Sequence, residues 1–383
     1  MKRSLVSLWL CNHVGLMSCL TTPPCITCDK ARSKTPGLVD YRMTETPASF
    51  NVLLETCFQD VWLSVLQIQD HLPELQRLGI TAIELMPVAD YPGNHGWGYD
   101  GVLPYSPERA YGTPNELKAM IDKAHSLGIS VFLDVVYNHF GPDGAYIHVF
   151  ASKFFREDLQ TPWGAAIDFR RGEVRDYFIQ NTVYWLKEYR FDGLRFDAVH
   201  EISEEDFLHD LARIARGQVE SGRHIALVLE NERNNVALIG GPPRFDAQWT
   251  DDFHHVMHVL LTKETEGYYD AFQDMTNQLR RILAEGFAYQ GESMPGETRG
   301  RGSASGGLPS TAFVIFLQNH DQTGNRAMGE RLSVLAEPGA VRAATALMLL
   351  TPFVPMLFMG EEFASTSPFL FFTDHHNELA DQV

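Results

Sequence analysis

Arg195 and Asp197 stand two positions apart in the stretch GLRFDAVH at 193–200. On a β-strand, residues so spaced point to one face. A guanidinium beside a carboxylate lowers the carboxylate's pKa and holds its orientation. A carboxylate nucleophile needs both. An isolated pair of this kind reads as a structural contact closing a loop, so the rest of the chain decides. Three further apolar runs end in comparable polar groups: DVVYNH at 134–139, LVLEN at 227–231 and FLQNHD at 316–321. Together these ends offer Asp197, Glu230 and Asp321 as carboxylates, with Arg195, His139 and His320 beside them. One carboxylate next to Arg195 stays ionised, while another is kept protonated by burial and like-charge neighbours. That pairing cuts glycosidic bonds, and it retains the anomeric configuration when the two carboxyls stand roughly 5–5.5 Å apart.

Such residues can work together only if one fold brings the four ends to one place. From Gly79 the chain alternates apolar runs with amphipathic segments. The pattern predicts strands over 80–88, 129–137, 191–199, 224–230, 245–250, 312–317 and 354–359. It predicts helices over 67–78, 115–127, 173–189, 205–216, 268–285 and 334–350, with a Gly/Ser/Arg-rich loop over 286–308. Continuous apolar strands imply burial on both faces and hence a parallel sheet. Repeated strand–helix alternation implies βα units. Seven strands want an eighth, and an α/β fold closed as a (β/α)8 TIM barrel puts all C-terminal strand ends on one face. A doubly wound sheet would carry a Gly-rich phosphate turn joining an early strand directly to a helix, and the G-x-G-x-x-G at 96–101 adjoins neither the strand over 80–88 nor the helix over 115–127.

The chain has 383 residues, a formal net charge of -18 and 44% hydrophobic residues. An acidic surface argues against nucleic acid as a partner. No apolar run reaches the roughly 20 residues that span a bilayer, which argues against a membrane partner. Met1-Lys2-Arg3 and the apolar stretch after it mimic a signal peptide, but Asn12 and His13 interrupt the apolar region. All five cysteines (Cys11, Cys19, Cys25, Cys28 and Cys57) precede a cysteine-free bulk. That distribution fits a reducing compartment, and a cytoplasmic location is expected. Cys25-x-x-Cys28 has no second pair at ligand spacing. No metal and no cofactor are expected. Residues 1–50, rich in Thr, Pro and Ser, read as an irregular leader, and 51–383 as the catalytic barrel.

The four strand ends resemble the signature ends of the α-amylase family of glycoside hydrolases, over about 79–375. The resemblance implies that Asp197 is the nucleophile, Glu230 the general acid/base and Asp321 the carboxylate that grips sugar hydroxyls. It implies that His139, Arg195 and His320 line the subsite of the attacked sugar, with Tyr99 of GWGYDGV (96–102) as the aromatic platform under it. Longer stretches sharpen the likeness: HFGPDGAY at 139–146, PWGAAIDF at 162–169, QWTDDFHH at 248–255, QNHDQTGNRAMGERL at 318–332, PMLFMGEEF at 355–363 and PFLFFTDH at 368–375. They resemble the family members that hydrolyse the α-1,4 bond next to the trehalose end of maltooligosyl-trehalose. Asp252 and His254 are then candidates for the trehalose end, with Asp251 and Phe253 beside them, and His200 and Glu201 on the same side.

The sequence also departs from that family. Relatives carry a β-sandwich before the barrel and a small β domain after it, and residues 1–50 are too short for the first. The last predicted strand lies close to Val383, with a following helix at most begun at Glu378. The first strand is atypical, with 50–54 as its replacement. The expectation is a truncated barrel with an intact site, doubtful closure and reduced stability. Two other readings stand beside it: an amylase, branching or debranching enzyme, which shares the same strand ends, and a carbohydrate-binding chain without turnover.

Overall fold

The computed structural model describes residues 52–56 and 64–376, the backbone of the strand pair Ala31–Arg32 and Val39–Asp40, and residue 379. Apart from that pair, the leader lies outside the described residues, as do the five cysteines and the start of a last helix at Glu378.

Eight parallel strands close into a barrel. In chain order they are β1 (Leu53–Thr56), β2 (Ala82–Leu85), β3 (Ser130–Val135), β4 (Gly193–Phe196), β5 (Ala226–Leu229), β6 (Ala247–Trp249), β7 (Phe313–Phe316) and β8 (Val354–Phe358). The doubt over closure is thereby corrected. Leu53 pairs with Ala82 of β2 on one side and with Met356 of β8 on the other. Four residues suffice because β1 has a buried strand as its neighbour on both edges.

Two apolar layers form. Alternate side chains fill the barrel interior, among them Leu53, Ala82, Phe132, Val228, Trp249, Phe316 and Met356. A larger layer packs between the sheet and the helices. Gly193 makes room inside. A Cβ there would lie 2.3 Å from Phe132 Cε1 and 2.7 Å from the Ala226 carbonyl oxygen. The Phe132 ring occupies the space that a side chain on β4 would take.

Seven main helices surround the barrel: α1 (Val65–Leu78), α2 (Pro114–Ser126), α3 (Gly172–Tyr184), α4 (Glu205–Gln218), α5 (Asp251–Thr262), α6 (Met275–Glu285) and α7 (Pro338–Leu350). Their starts follow local chemistry. Thr113 Oγ1 accepts from Glu116 N at 3.3 Å, Glu116 Oε2 accepts from Thr113 N at 2.7 Å, and Pro114 opens α2. Such reciprocal capping satisfies end groups the helix cannot satisfy itself.

Several predicted elements change. The strand over 191–199 stops at Phe196, and Ala198 takes a left-handed φ of 40° before a single turn at Val199–Glu201. The helix over 268–285 is a 3-10 segment, Gly267–Phe272, followed by α6. The helix over 334–350 divides into Leu332–Leu335 and α7, with Pro338 starting the second piece. The periodicity reading passed over α5 entirely. It also passed over the hairpin of Phe155–Thr161 and Gly164–Ile167.

Candidate active site

At the C-terminal ends of the strands the side chains converge on Arg195. Its guanidinium is fully buried. Nη1 donates to Asp134 Oδ2 at 2.5 Å and to Asp197 Oδ1 at 2.9 Å, and Nη2 lies 2.9 Å from Glu230 Oε2. The guanidinium carbon sits 4.3 Å from the centre of the Trp249 ring, a cation–π contact. Burial works against the Arg195 charge, but Asp134, Glu230 and Asp197 outweigh it and hold the group protonated. Backbone bonds fix the two flanking carboxylates. Asp197 N donates to Val135 O at 3.0 Å, Glu230 N to Phe196 O at 3.0 Å, and Ala198 N to Glu230 Oε2 at 2.8 Å. The left-handed turn at Ala198 is what aims that last amide.

Asp197, Glu230 and Asp321 form a gradient from floor to mouth: their side chains are 10%, 19% and 42% exposed. Arg195 does act to lower the Asp197 pKa, but the expectation that this keeps Asp197 ionised in the free site is corrected here. Burial pushes the Asp197 carboxyl well above the usual range and the Glu230 charge adds to the shift, against Arg195. A second carboxylate on the same guanidinium makes ionising Asp197 more costly.

Asp321 behaves oppositely. Burial would raise it, but the His320 cation 3.3 Å away and Arg195 hold it below the usual range. His320 itself is buried, yet the charges of Asp321 and Glu55 keep its pKa well above the ordinary imidazole value. Its Nδ1 hydrogen goes to Glu55 Oε1. Glu55 closes β1 and was missed in the sequence, where no motif surrounds it. The Tyr99 ring stacks on His320 with centroids 5.0 Å apart and planes at 21°. Burial and the Asp134 charge push the Tyr99 phenol up, so it stays protonated and donates to Asp134 Oδ2 at 2.5 Å.

His139 Nε2 donates to the Tyr99 carbonyl oxygen at 3.0 Å, and burial lowers its pKa to about 4, so it is neutral. His200 lies further out, 3.7 Å from Glu232 Oε2 and 4.0 Å from Glu201 Oε1.

Two candidates are corrected, because 251–262 is a helix and its side chains fan out. Asp252 has no exposure: Asp252 Oδ1 lies 2.8 Å from Arg301 Nη2, and Oδ2 accepts from Asn234 Nδ2 at 3.2 Å and Ala288 N at 2.8 Å. His254 is equally enclosed. Nδ1 donates to Leu317 O at 2.5 Å, Nε2 accepts from Tyr269 OH at 3.0 Å, and burial holds its pKa down to about 3. Neither has an atom left for a ligand. Asp251 is the residue of this segment beside the site. Burial and the Glu230 charge raise its pKa to about 8, with Asp252 and Asp321 adding and Arg301 opposing. A second missed carboxylate is Glu84 on β2, enclosed with no partner on either oxygen and pushed well above the usual range by burial and Asp134.

Residues 65–161 match the family described as alpha amylase, catalytic domain. The malto-oligosyltrehalose trehalohydrolase of Deinococcus radiodurans is 42% identical over 318 residues, 82% of this chain and 52% of that protein. The protein of that name from Saccharolobus solfataricus is 40% identical over 307 residues, 78% of this chain and 54% of its own length.

Over most of its length the chain is similar to these trehalohydrolases, and over 65–161 to the alpha-amylase catalytic domain.

It spans about half the length of these curated relatives. A crystal structure of a protein described as a putative alpha amylase from Salmonella typhimurium superposes with a TM-score of 0.83 and 46% identity, covering 86% of this chain and 58% of that one. A pullulanase from Anoxybacillus, solved with maltotetraose, superposes at a TM-score of 0.63 and 20% identity, which speaks for the family fold alone.

Proposed function

We propose that this chain is a retaining glycoside hydrolase. It cleaves the α-1,4 bond next to the trehalose end of a maltooligosyl-trehalose and releases trehalose. The observation that carries the reading is the Arg195 guanidinium shared by Asp197 and Glu230, two carboxyls on neighbouring strand ends, with Asp197 pushed up by burial and by the Glu230 charge. The whole-length relatives named as trehalohydrolases supply the choice of bond.

In the reaction, Asp197 attacks the anomeric carbon of the sugar next to the trehalose. Glu230 gives its proton to the departing glycosidic oxygen, the C–O bond breaks and trehalose leaves. Water then adds to the anomeric carbon, Glu230 takes the water's proton, and the Asp197 ester bond breaks. The reaction needs the proton on Glu230 and Asp197 ionised when substrate is bound, with Asp197 Oδ1 held by Arg195 Nη1. Asp321, ionised beside the His320 cation, accepts hydrogen bonds from sugar hydroxyls that strengthen as the ring distorts. Tyr99, held by His320 and Asp134, supports the apolar face of that sugar.

The partner is thus a carbohydrate, and the unit that handles it is the barrel of 51–383. A cytoplasmic setting goes with this reading. Among the described residues no helix is long and apolar enough to cross a membrane. The test is a product analysis on maltotriosyl-trehalose. Free trehalose with retained configuration at the new reducing end is expected, whereas an inverted product or no trehalose contradicts the reading.

A further inference from the structure

Beyond β8 the segment 369–376 runs along the loop that carries Tyr99, and its contacts converge on the buried Trp97 indole. Phe369 stacks on that ring with centroids 5.2 Å apart and planes at 24°, and Phe371 meets it edge-on at 5.1 Å. Trp97 Nε1 donates to Leu370 O at 3.1 Å. The same indole touches the site. It stands edge-on to His320 at 5.3 Å and lies 6.5 Å from the Tyr99 ring. The backbone of the segment is fastened as well, since Phe369 N donates to Gly329 O at 2.9 Å and Phe371 N to Gly324 O at 3.1 Å. Past the aromatic residues the ties turn polar. Asp374 Oδ2 accepts from Asn94 N at 2.9 Å and lies 3.5 Å from His95 Nδ1. His376 Nδ1 lies 3.1 Å from Asp143 Oδ2, on the loop after β3. Two glycines clear the path. A Cβ on Gly93 would lie 2.5 Å from Asp374 O, and one on Gly324 would lie 2.1 Å from Trp97 Cζ2.

We propose that the segment 369–376 is a strap that positions Tyr99, with Trp97 as the link and Asp374 as the latch. Both are positioning residues, and neither touches the sugar. The proposal rests on the reading of the site as α-glucan-cleaving. Tyr99 stands on a loop without regular structure, and loops move more than the strands that carry the carboxylates. A group that supports the reacting sugar has to be fixed, because a small displacement is costly. The Tyr99 hydroxyl and ring face are held from within by Asp134 and His320. The strap holds the loop from the outside. A segment that served only to cover apolar surface could end at Phe369. Asp374 is 43% exposed, so its bond to Asn94 N buries little, and what it does is hold the loop in place.

The test uses the full chain and the variants Asp374→Ala and Asp374→Asn. Amide hydrogen exchange over 95–101 is followed by mass spectrometry, beside kinetics on maltotriosyl-trehalose. Asp374→Ala is expected to speed exchange in that loop and leave the barrel strands unchanged. It is expected to raise KM by about tenfold, with kcat changed far less. Asp374→Asn keeps an acceptor for Asn94 N and is expected to recover most of both effects. Unaltered exchange over 95–101 overturns the strap. Faster exchange with an unaltered KM overturns its role in positioning Tyr99, as does a kcat that falls only with the folded fraction. If the wild type releases no trehalose, the proposed bond fails by itself. Binding of maltohexaose by calorimetry then reads the strap: Kd about tenfold weaker in Asp374→Ala supports it, and equal Kd values overturn it.

Discussion

Glu55 and His320 stand 265 positions apart and share a hydrogen bond, Glu55 Oε1 accepting from His320 Nδ1. The bond joins the first barrel strand to the segment after the seventh. It also sets a charge. With Asp321 on its other nitrogen, His320 stays an imidazolium despite its burial. Glu55→Gln removes one of the two anions and should bring the His320 pKa down toward the ordinary range, as read by imidazole NMR titration. An unmoved titration would mean that Asp321 alone holds the proton.

The same bond predicts a direction for stability with pH. A histidine whose folded pKa exceeds its unfolded value of about 6.5 binds its proton more tightly in the folded state. Its contribution is complete below that unfolded value and is lost as pH rises through the raised folded one. Thermal unfolding of the wild type against Glu55→Gln should therefore differ most at acidic pH and converge at alkaline pH. A gap that widens with pH contradicts this.

Asp197 gives the same sign in a lower pH window. Its folded pKa is raised, so above about pH 3.9 the unfolded chain ionises while the folded site keeps its proton, and stability falls as pH rises toward the folded value. Asp197→Asn has no such penalty. Relative to wild type it should gain stability at pH 7 over pH 4, while turnover drops by orders of magnitude. Equal Tm differences at both pH values would show that burial does not raise Asp197. Near-normal turnover would remove it from the nucleophile's place.

How much of this was legible depended on whether a residue's partners were local. Arg195, Asp197, Glu230, His320 and Asp321 stand at the ends of apolar runs, and the strand period alone puts them at the barrel mouth. Glu55 lies inside the short run Leu53–Thr56 with no motif around it, and only barrel closure brings it to His320. Asp252 and His254 were misplaced for a different reason. The run Asp251–Thr262 is enclosed almost all round at its start, so its apolar pattern has no polar face to betray a helix. Read as a loop, its polar residues all look available. As a helix, about 100° of rotation separates Asp251, beside the carboxylates, from Asp252, locked to Arg301.

That distinction is measurable. Asp252→Ala leaves Arg301 Nη2, Asn234 Nδ2 and Ala288 N without their acceptor and should cost about 3 kcal/mol of stability, seen in denaturant unfolding. Asp251→Asn should cost no stability, should gain it at pH 7 over pH 4 by the same linkage as at Asp197, and should alter activity near pH 8, where Asp251 titrates. A stable Asp252→Ala with impaired substrate binding would restore Asp252 to the sugar site.

Gly193 tests the packing beneath the site. Gly193→Ala drives a methyl into Phe132 and the Ala226 carbonyl and should cost ~1–3 kcal/mol. Adding Phe132→Leu should recover part of that loss, since the ring is one of the two obstacles. No recovery would locate the strain at the carbonyl alone.

The central claim is the bond that is cut. The direct measurement is the product profile from maltotriosyl-trehalose and maltopentaose offered together at equal concentration, with Asp197→Asn as the blank. The account predicts free trehalose and maltotriose as the main products, with maltopentaose nearly untouched. Rapid loss of maltopentaose, or maltose and glucose in place of trehalose, would contradict it.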